Sequence, residues 1–241
     1  MELDVSRLAS VRAFAEAYPK RHAKLDVLVN NAGVMALPPT RTEDGFDIQM
    51  ATNHFGHFAL TGLLLETLKS SAPARVVNVS SGMHRVGGDR FEAMMAGKTF
   101  NPWIVYGQTK LANVLFANEL DRRAQAKGLD VRALSYHPGF AATNLQGTSA
   151  AAGAATGYTE GSAAFLNRLL AQPAAAGAWP TLMAATDPDA RGGDYIGPGG
   201  ITESAGPPVR AKASRAARDP DLARRLWDIS VKATGVDYAG L

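Results

Sequence analysis

Three short apolar runs, separated by long stretches of helical periodicity, constrain this chain most. Val27-Leu28-Val29, Arg75–Val79 and Val131–Tyr136 each read as a strand, and the first runs straight into Asn30-Asn31-Ala32-Gly33. Continuous apolar runs bounded by turn formers suit strands buried on both faces. Between them, Phe46–Lys69 and Trp103–Lys127 carry helical patterns, the first closed by Pro73 and the second by Gly128. Leu8, Val11, Phe14 and Tyr18 recur at helical spacing before Pro19. Strands joined through helices need crossovers, which are right-handed and give a parallel sheet. A terminal helix starts at Asp219-Pro220, with Asp as cap, Pro in the first turn and Leu222, Leu226 and Ile229 as its apolar stripe.

Two stretches break this rhythm. Met83–Pro102 is rich in Gly, Met and charge, and Gln146–Gly177 is dominated by Ala, Gly, Ser and Thr. Insertions beside the carboxyl ends of parallel strands tend to be substrate loops, so loops near 83–102 and 144–178 are expected, although surface filler explains the second nearly as well. The chain of 241 residues, 46% of them hydrophobic, suits one domain spanning 1–241. It contains no cysteine, which removes disulfides, thiolate catalysis and Cys-ligated metals. The net charge is only +3. Arg210, Lys212, Arg215 and Arg218 have no aromatics interleaved with them, so they read as a solvated face and no nucleic-acid partner is expected. With no long apolar run and no signal-peptide core, a cytoplasmic protein with no membrane partner is expected.

Tyr106-Gly107-Gln108-Thr109-Lys110 places a phenol and an ammonium on one helix face. A free phenol titrates near ~10, and an adjacent ammonium would favour the phenolate, making a proton donor or acceptor near neutral pH. Alone, the pair reads equally as a surface helix contact. Ser80-Ser81 follows a strand, where a hydroxyl could polarise a carbonyl or merely cap the next turn. Asn53 lies inside a predicted helix, where Asn is mildly unfavourable, and could be no more than an exposed polar residue. His137-Pro138-Gly139 marks another loop at a strand end. His54 and His57 have metal-ligand spacing, but no third ligand can be named, and no metal is expected.

Taken together, Asn30-Asn31-Ala32-Gly33, Asn53, Asn78-Val79-Ser80-Ser81, Tyr106-x-x-x-Lys110 and Pro138-Gly139 with Thr143 resemble the short-chain dehydrogenase/reductase family, in family order from Asp4 to the C-terminus. Tyr106 to Asn113, with His137-Pro138-Gly139 and the long interval from Ser81 to Tyr106, is most similar to its retinol-dehydrogenase-like and protochlorophyllide-reductase-like branch. The resemblance implies a Rossmann-like doubly wound parallel sheet and an oxidoreductase that interconverts a hydrophobic alcohol and a carbonyl with NAD or NADP. It implies Tyr106 as acid/base, Lys110 as the residue that lowers its pKa and holds the nicotinamide ribose, Ser81 on the substrate oxygen and Asn53 on a relay water. Asp4 and Val5 would contact the adenine, Asn31, Ala32 and Gly33 the adenosine ribose, and Pro138, Gly139 and Thr143 the nicotinamide. Pairing of the two long helices would make a homodimer possible.

The chain departs from the family pattern in having no T-G-x-x-x-G-x-G turn to cradle the pyrophosphate. Gly192-Gly193 and Gly197-Pro198-Gly199-Gly200 follow the wrong element and open no helix. The expectation is an N-terminally truncated domain without its first two βα units and without the residues that choose between NAD and NADP. In the strand order 3-2-1-4-5-6, the strand at Val27–Asn30 then becomes an open edge. This polypeptide would bind a nicotinamide dinucleotide only weakly, since losing two or three charge-assisted bonds costs ~3–9 kcal/mol. A non-catalytic binding or regulatory protein is the competing reading; a hydrolase is excluded because no G-x-S-x-G turn occurs.

Overall fold

The computed structural model describes residues 1–97, 101–139, 173–200 and 202–241. Helix α1 (Leu8–Ala17) leads to strand β1 (Val27–Asn30), and a short α2 (Ile48–Met50) opens the next helical region. That region is not one helix from Phe46 to Lys69. Asp47 delays its start by accepting from the backbone N–H groups of Gln49 and Met50. Ala51–Phe55 is a wide π turn, and α3 (Gly56–Leu63) and α4 (Leu65–Ser70) are separated at Leu64, whose φ of −97° and ψ of 6° leave the helical region. Strand β2 (Ala74–Val79), a 3₁₀ turn at Gly82–Arg85, α5 (Phe91–Met95), α6 (Pro102–Ala126) and β3 (Val131–Tyr136) follow. Beyond them come α7 (Ala174–Gly177), α8 (Trp179–Thr186), β4 (Tyr195–Pro198), β5 (Pro208–Arg210) and α9 (Pro220–Thr234).

The five strands pair in the order β1-β2-β3-β4-β5. Pairs β1–β2, β2–β3 and β3–β4 are parallel, as the crossovers require, while β5 returns antiparallel to β4. Among the described residues β1 pairs with β2 alone, so the strand at Val27–Asn30 does form an open edge, with Val29 37% exposed.

Both sheet faces are covered, which explains the unbroken apolar runs. Val76 and Ala133 face α3, α4 and α6, packing with Phe58, Leu68, Phe116 and Trp227. Their neighbours Val77, Val79, Leu134 and Tyr136 face Met183 and Ala184 of α8. Helix α9 closes the first layer: Asp219 caps it, Gly235 ends it at φ +65°, and Tyr238 beyond it donates to the Phe58 carbonyl at 2.7 Å. The stretch expected as a loop at 83–102 is partly core, because Phe91 and Met94 of α5 are buried with Met50, Phe55 and Leu111. Of the loop expected at 144–178, all but its end lies outside the described residues. No helix among the described residues is long and apolar enough to cross a membrane.

Candidate active site

The carboxyl ends of β1, β2 and β3 share one edge of the sheet, and α6 is fastened across it. Asn113 of α6 donates its side-chain N–H to the Val79 carbonyl at 2.7 Å, and Ser80 donates its hydroxyl to the Lys110 carbonyl at 2.8 Å. The Ser80 backbone N–H reaches the Tyr136 carbonyl of β3 at 2.6 Å. Helix α6 is therefore buried nearly all round from Val105 to Ala117, and Tyr106, Thr109, Lys110 and Asn113 form a polar stripe within it. A buried polar stripe needs partners, and each of these residues faces the same strand ends.

Ser81 caps the 3₁₀ turn by accepting from Met83 N–H at 3.3 Å, and its hydroxyl lies close enough to the Tyr106 phenol to pull that phenol's pKa down. The turn can lie this close only because two glycines face each other. A Cβ on Gly107 would stand 2.8 Å from Gly87 Cα and 2.8 Å from the Met83 carbonyl oxygen.

Burial dominates the electrostatics. The Tyr106 phenol is pushed up to about 12 by desolvation, against the opposing bond from Ser81. Desolvation pulls the Lys110 ammonium down to about 8. Lys110 Nζ lies 5.5 Å from the ring centroid, and Ser81 is the neighbour that pulls the phenol down.

Asn53 sits in the π turn with both its amide N–H groups and its Oδ1 engaged. Its Oδ1 accepts from Val34 N–H at 2.8 Å, and its Nδ2 donates to the Val34 carbonyl and to Thr109 Oγ1, each at 2.9 Å. Thr109 in turn donates to the Tyr106 carbonyl at 2.8 Å. The side chain ties the loop after β1 to α6, while the Asn53 backbone carbonyl accepts from His57 Nδ1 at 3.1 Å. That loop passes directly over the lysine: a Cβ on Gly33 would stand 3.1 Å from Asn53 Oδ1 and 3.5 Å from Lys110 Nζ. Asn31 Oδ1 accepts from the Tyr136 phenol at 2.7 Å, linking the ends of β1 and β3.

The Asp4 carboxylate is exposed and turned onto Ser6, accepting from its N–H at 2.9 Å and its hydroxyl at 2.7 Å. The Val5 carbonyl packs on Gly56, one turn beyond the Asn53 region. Pro138 and Gly139 follow β3; Gly139 has φ +71°, and a Cβ there would strike the Ser204 carbonyl at 2.4 Å. Ala32 lies in the same loop as Gly33, and Thr143 lies outside the described residues. A cavity of about 390 Å³ opens at the other end of β3, beside Asp121 and Arg132. It is not this site, and its Asp121 is already spent on Ala133 N–H and Gln125.

Sequence reasoning missed a second layer. Tyr195 of β4 stacks on His137 at 5.2 Å and meets His84 edge-on at 5.1 Å. Glu203 accepts from Arg85 at 2.9 Å and lies 3.4 Å from His137 Nε2. Only the polarity of His84 and His137 beside strand ends could have hinted at this layer.

Residues 1–153, more than half of the chain, match the family model described as short chain dehydrogenase. The chain belongs to the short-chain dehydrogenase family. Among related short-chain dehydrogenases, mouse retinol dehydrogenase 14 is 40% identical over 238 residues, covering 98% of this chain and 66% of that protein. Human retinol dehydrogenase 13 is 38% identical over 237 residues, covering 98% of this chain and 68% of that one. The chain thus spans about two thirds of the length of these relatives. A crystal structure of an uncharacterised protein from Mycobacterium paratuberculosis superimposes with a TM-score of 0.76 at 39% identity, over 99% of this chain and 76% of that one. The Pseudomonas aeruginosa RhlG/NADP complex shares the short-chain dehydrogenase fold at a TM-score of 0.59 and 21% identity, over 81% and 73% of the two chains.

Proposed function

We propose that this chain carries the proton-handling site of a nicotinamide-dependent oxidoreductase that interconverts a hydrophobic alcohol and its carbonyl compound. The observation that carries this reading is the convergence of Ser81, Tyr106 and Lys110 at the carboxyl ends of parallel strands, with the Ser81 hydroxyl beside the phenol and the buried ammonium 5.5 Å from its ring. Relatives named retinol dehydrogenase support an alcohol as one of the two substrate forms.

The residues present suit the nicotinamide end of such a cofactor. Lys110 Nζ donates to no acceptor among the described residues, and the missing side chain at Gly33 leaves the backbone of that loop as its near neighbour. Lys110, Gly33, Pro138 and Gly139 would hold that end, and NAD and NADP are both compatible with them. When bound, the cofactor supplies or accepts the hydride. The protein does the rest. In the reducing direction Ser81 donates a hydrogen bond to the carbonyl oxygen, and Tyr106, protonated at neutral pH, gives that oxygen its proton. Lys110 stabilises the resulting phenolate and feeds a proton back. In the oxidising direction the same groups run in reverse.

Tyr106→Phe tests the assignment, since it removes only the proton-carrying oxygen. Turnover with hydrophobic alcohols and aldehydes should fall to below about a tenth of the original rate, with cofactor affinity unchanged. Retention of more than that assigns the proton to another group.

A further inference from the structure

His84 is buried on the turn behind Ser81, and its two ring nitrogens have unlike partners. Nε2 lies 3.1 Å from the backbone N–H of Ser214, which can only donate. Nε2 must therefore be the bare, accepting nitrogen, and Nδ1 carries the ring proton. That proton points at the Ser81 carbonyl, 2.7 Å away, which also accepts the backbone N–H of His84 at 3.0 Å. The Tyr195 ring packs edge-on against the imidazole, with its hydroxyl 3.3 Å from Nδ1. One residue further, Arg85 donates to Glu203 at 2.9 Å and to the Lys212 carbonyl at 3.0 Å, fastening the turn to the same segment.

We propose that His84 is a positioning residue for Ser81, clamping the serine's carbonyl to the backbone of Ser214 so that the hydroxyl stays against Tyr106. This rests on the oxidoreductase reading for its consequence in catalysis, but not for its geometry. Two donors on one carbonyl fix the peptide plane at Ser81, and with it the direction of the side chain. A reacting hydroxyl misplaced by about 1 Å can lower turnover by roughly a hundredfold.

The test has one arm that needs no activity. Long-range proton–nitrogen correlation on the 241-residue protein should show His84 protonated on Nδ1, and the Nε2–H tautomer would overturn the proposal. Amide exchange at Met83, whose N–H caps onto Ser81, should speed up by about tenfold in His84→Ala. In His84→Asn it should recover, because the amide N–H takes the place of Nδ1–H. Unchanged exchange in the alanine variant, or no recovery in the asparagine variant, would also overturn it.

The second arm is kinetic. With wild-type turnover established, His84→Ala should lower kcat by at least about tenfold with little change in substrate KM, and His84→Asn should restore most of it. A change in KM alone, or equal loss in both variants, refutes positioning. If the wild type turns over no alcohol or carbonyl, the oxidoreductase reading falls by itself, and the exchange arm still decides the role of His84.

Discussion

Tyr106 and Lys110 are perturbed in opposite directions by the same cause, and this sets an order of proton loss. With the phenol at about 12 and the ammonium at about 8, both hold their protons at pH 7. Raising the pH through 8 strips Lys110 first, while Tyr106 keeps its proton. Reductive turnover, which spends the phenol's proton and draws its replacement through Lys110, should be level up to pH ~8 and fall above it. Oxidation, which needs the phenolate, should rise over the same interval. Initial rates in both directions from pH ~6 to ~10 check this; a reductive rate that climbs across pH 8 contradicts it. The spacing of the pair was legible in the sequence, four residues apart on one helix face. The pKa values were not, because they arise from burial by distant segments. Nor was the role of Asn53, whose three partners come from Val34 and Thr109.

Helix α6 shows what local sequence can and cannot fix. Asn101, accepting from Trp103 and Ile104 N–H, and Gly128 at φ +67° bound it within a residue of Trp103–Lys127, because caps are local chemistry. The break in Phe46–Lys69 was hidden, since the π turn is held by tertiary bonds to Asn53 and by Val5 lying on Gly56. Gly107 poses the same conflict as a test. By propensity alone, Gly107→Ala should strengthen α6 by about 1 kcal/mol. Its Cβ would instead meet Gly87 Cα and the Met83 carbonyl oxygen, each at 2.8 Å, and both are backbone. Overpacking should win, with a net loss of about 1–3 kcal/mol by urea unfolding and reduced turnover, because the turn that moves carries Ser81. An alanine variant more stable than the parent would show that the turn yields freely.

Across the whole molecule, two buried histidines tie the helical layer together. His54 Nε2 lies 2.8 Å from Ser230 Oγ of α9 and its Nδ1 3.4 Å from Asn113 of α6, while His57 bonds the Asn53 carbonyl. Desolvation pulls His54 to about 3 and His57 to about 4, well below their ordinary 6.5. The fold therefore keeps both neutral while the unfolded chain protonates them. Their contribution is complete above pH ~6.5 and is lost as the pH falls toward 4 and 3. Between pH 7 and 5 the two should together remove about 4 kcal/mol, read as a drop in the urea midpoint at constant slope. Equal midpoints at the two pH values would mean that both rings are solvated.

The sheet's two sides also differ in what they can join. At β5 the outer strand is three residues long and begins with Pro208, which has no N–H to offer, and Arg210 is held by Asp194 at 2.9 Å. At β1 an apolar strand is paired on one side alone among the described residues, although its Val29 carbonyl accepts from the Asn31 N–H at 3.0 Å. A sheet blunted on one side and open on the other has a valence of one. Among the described residues the sheet can be extended beside β1 and not beside β5, so a further strand of any origin would add next to Val27–Asn30.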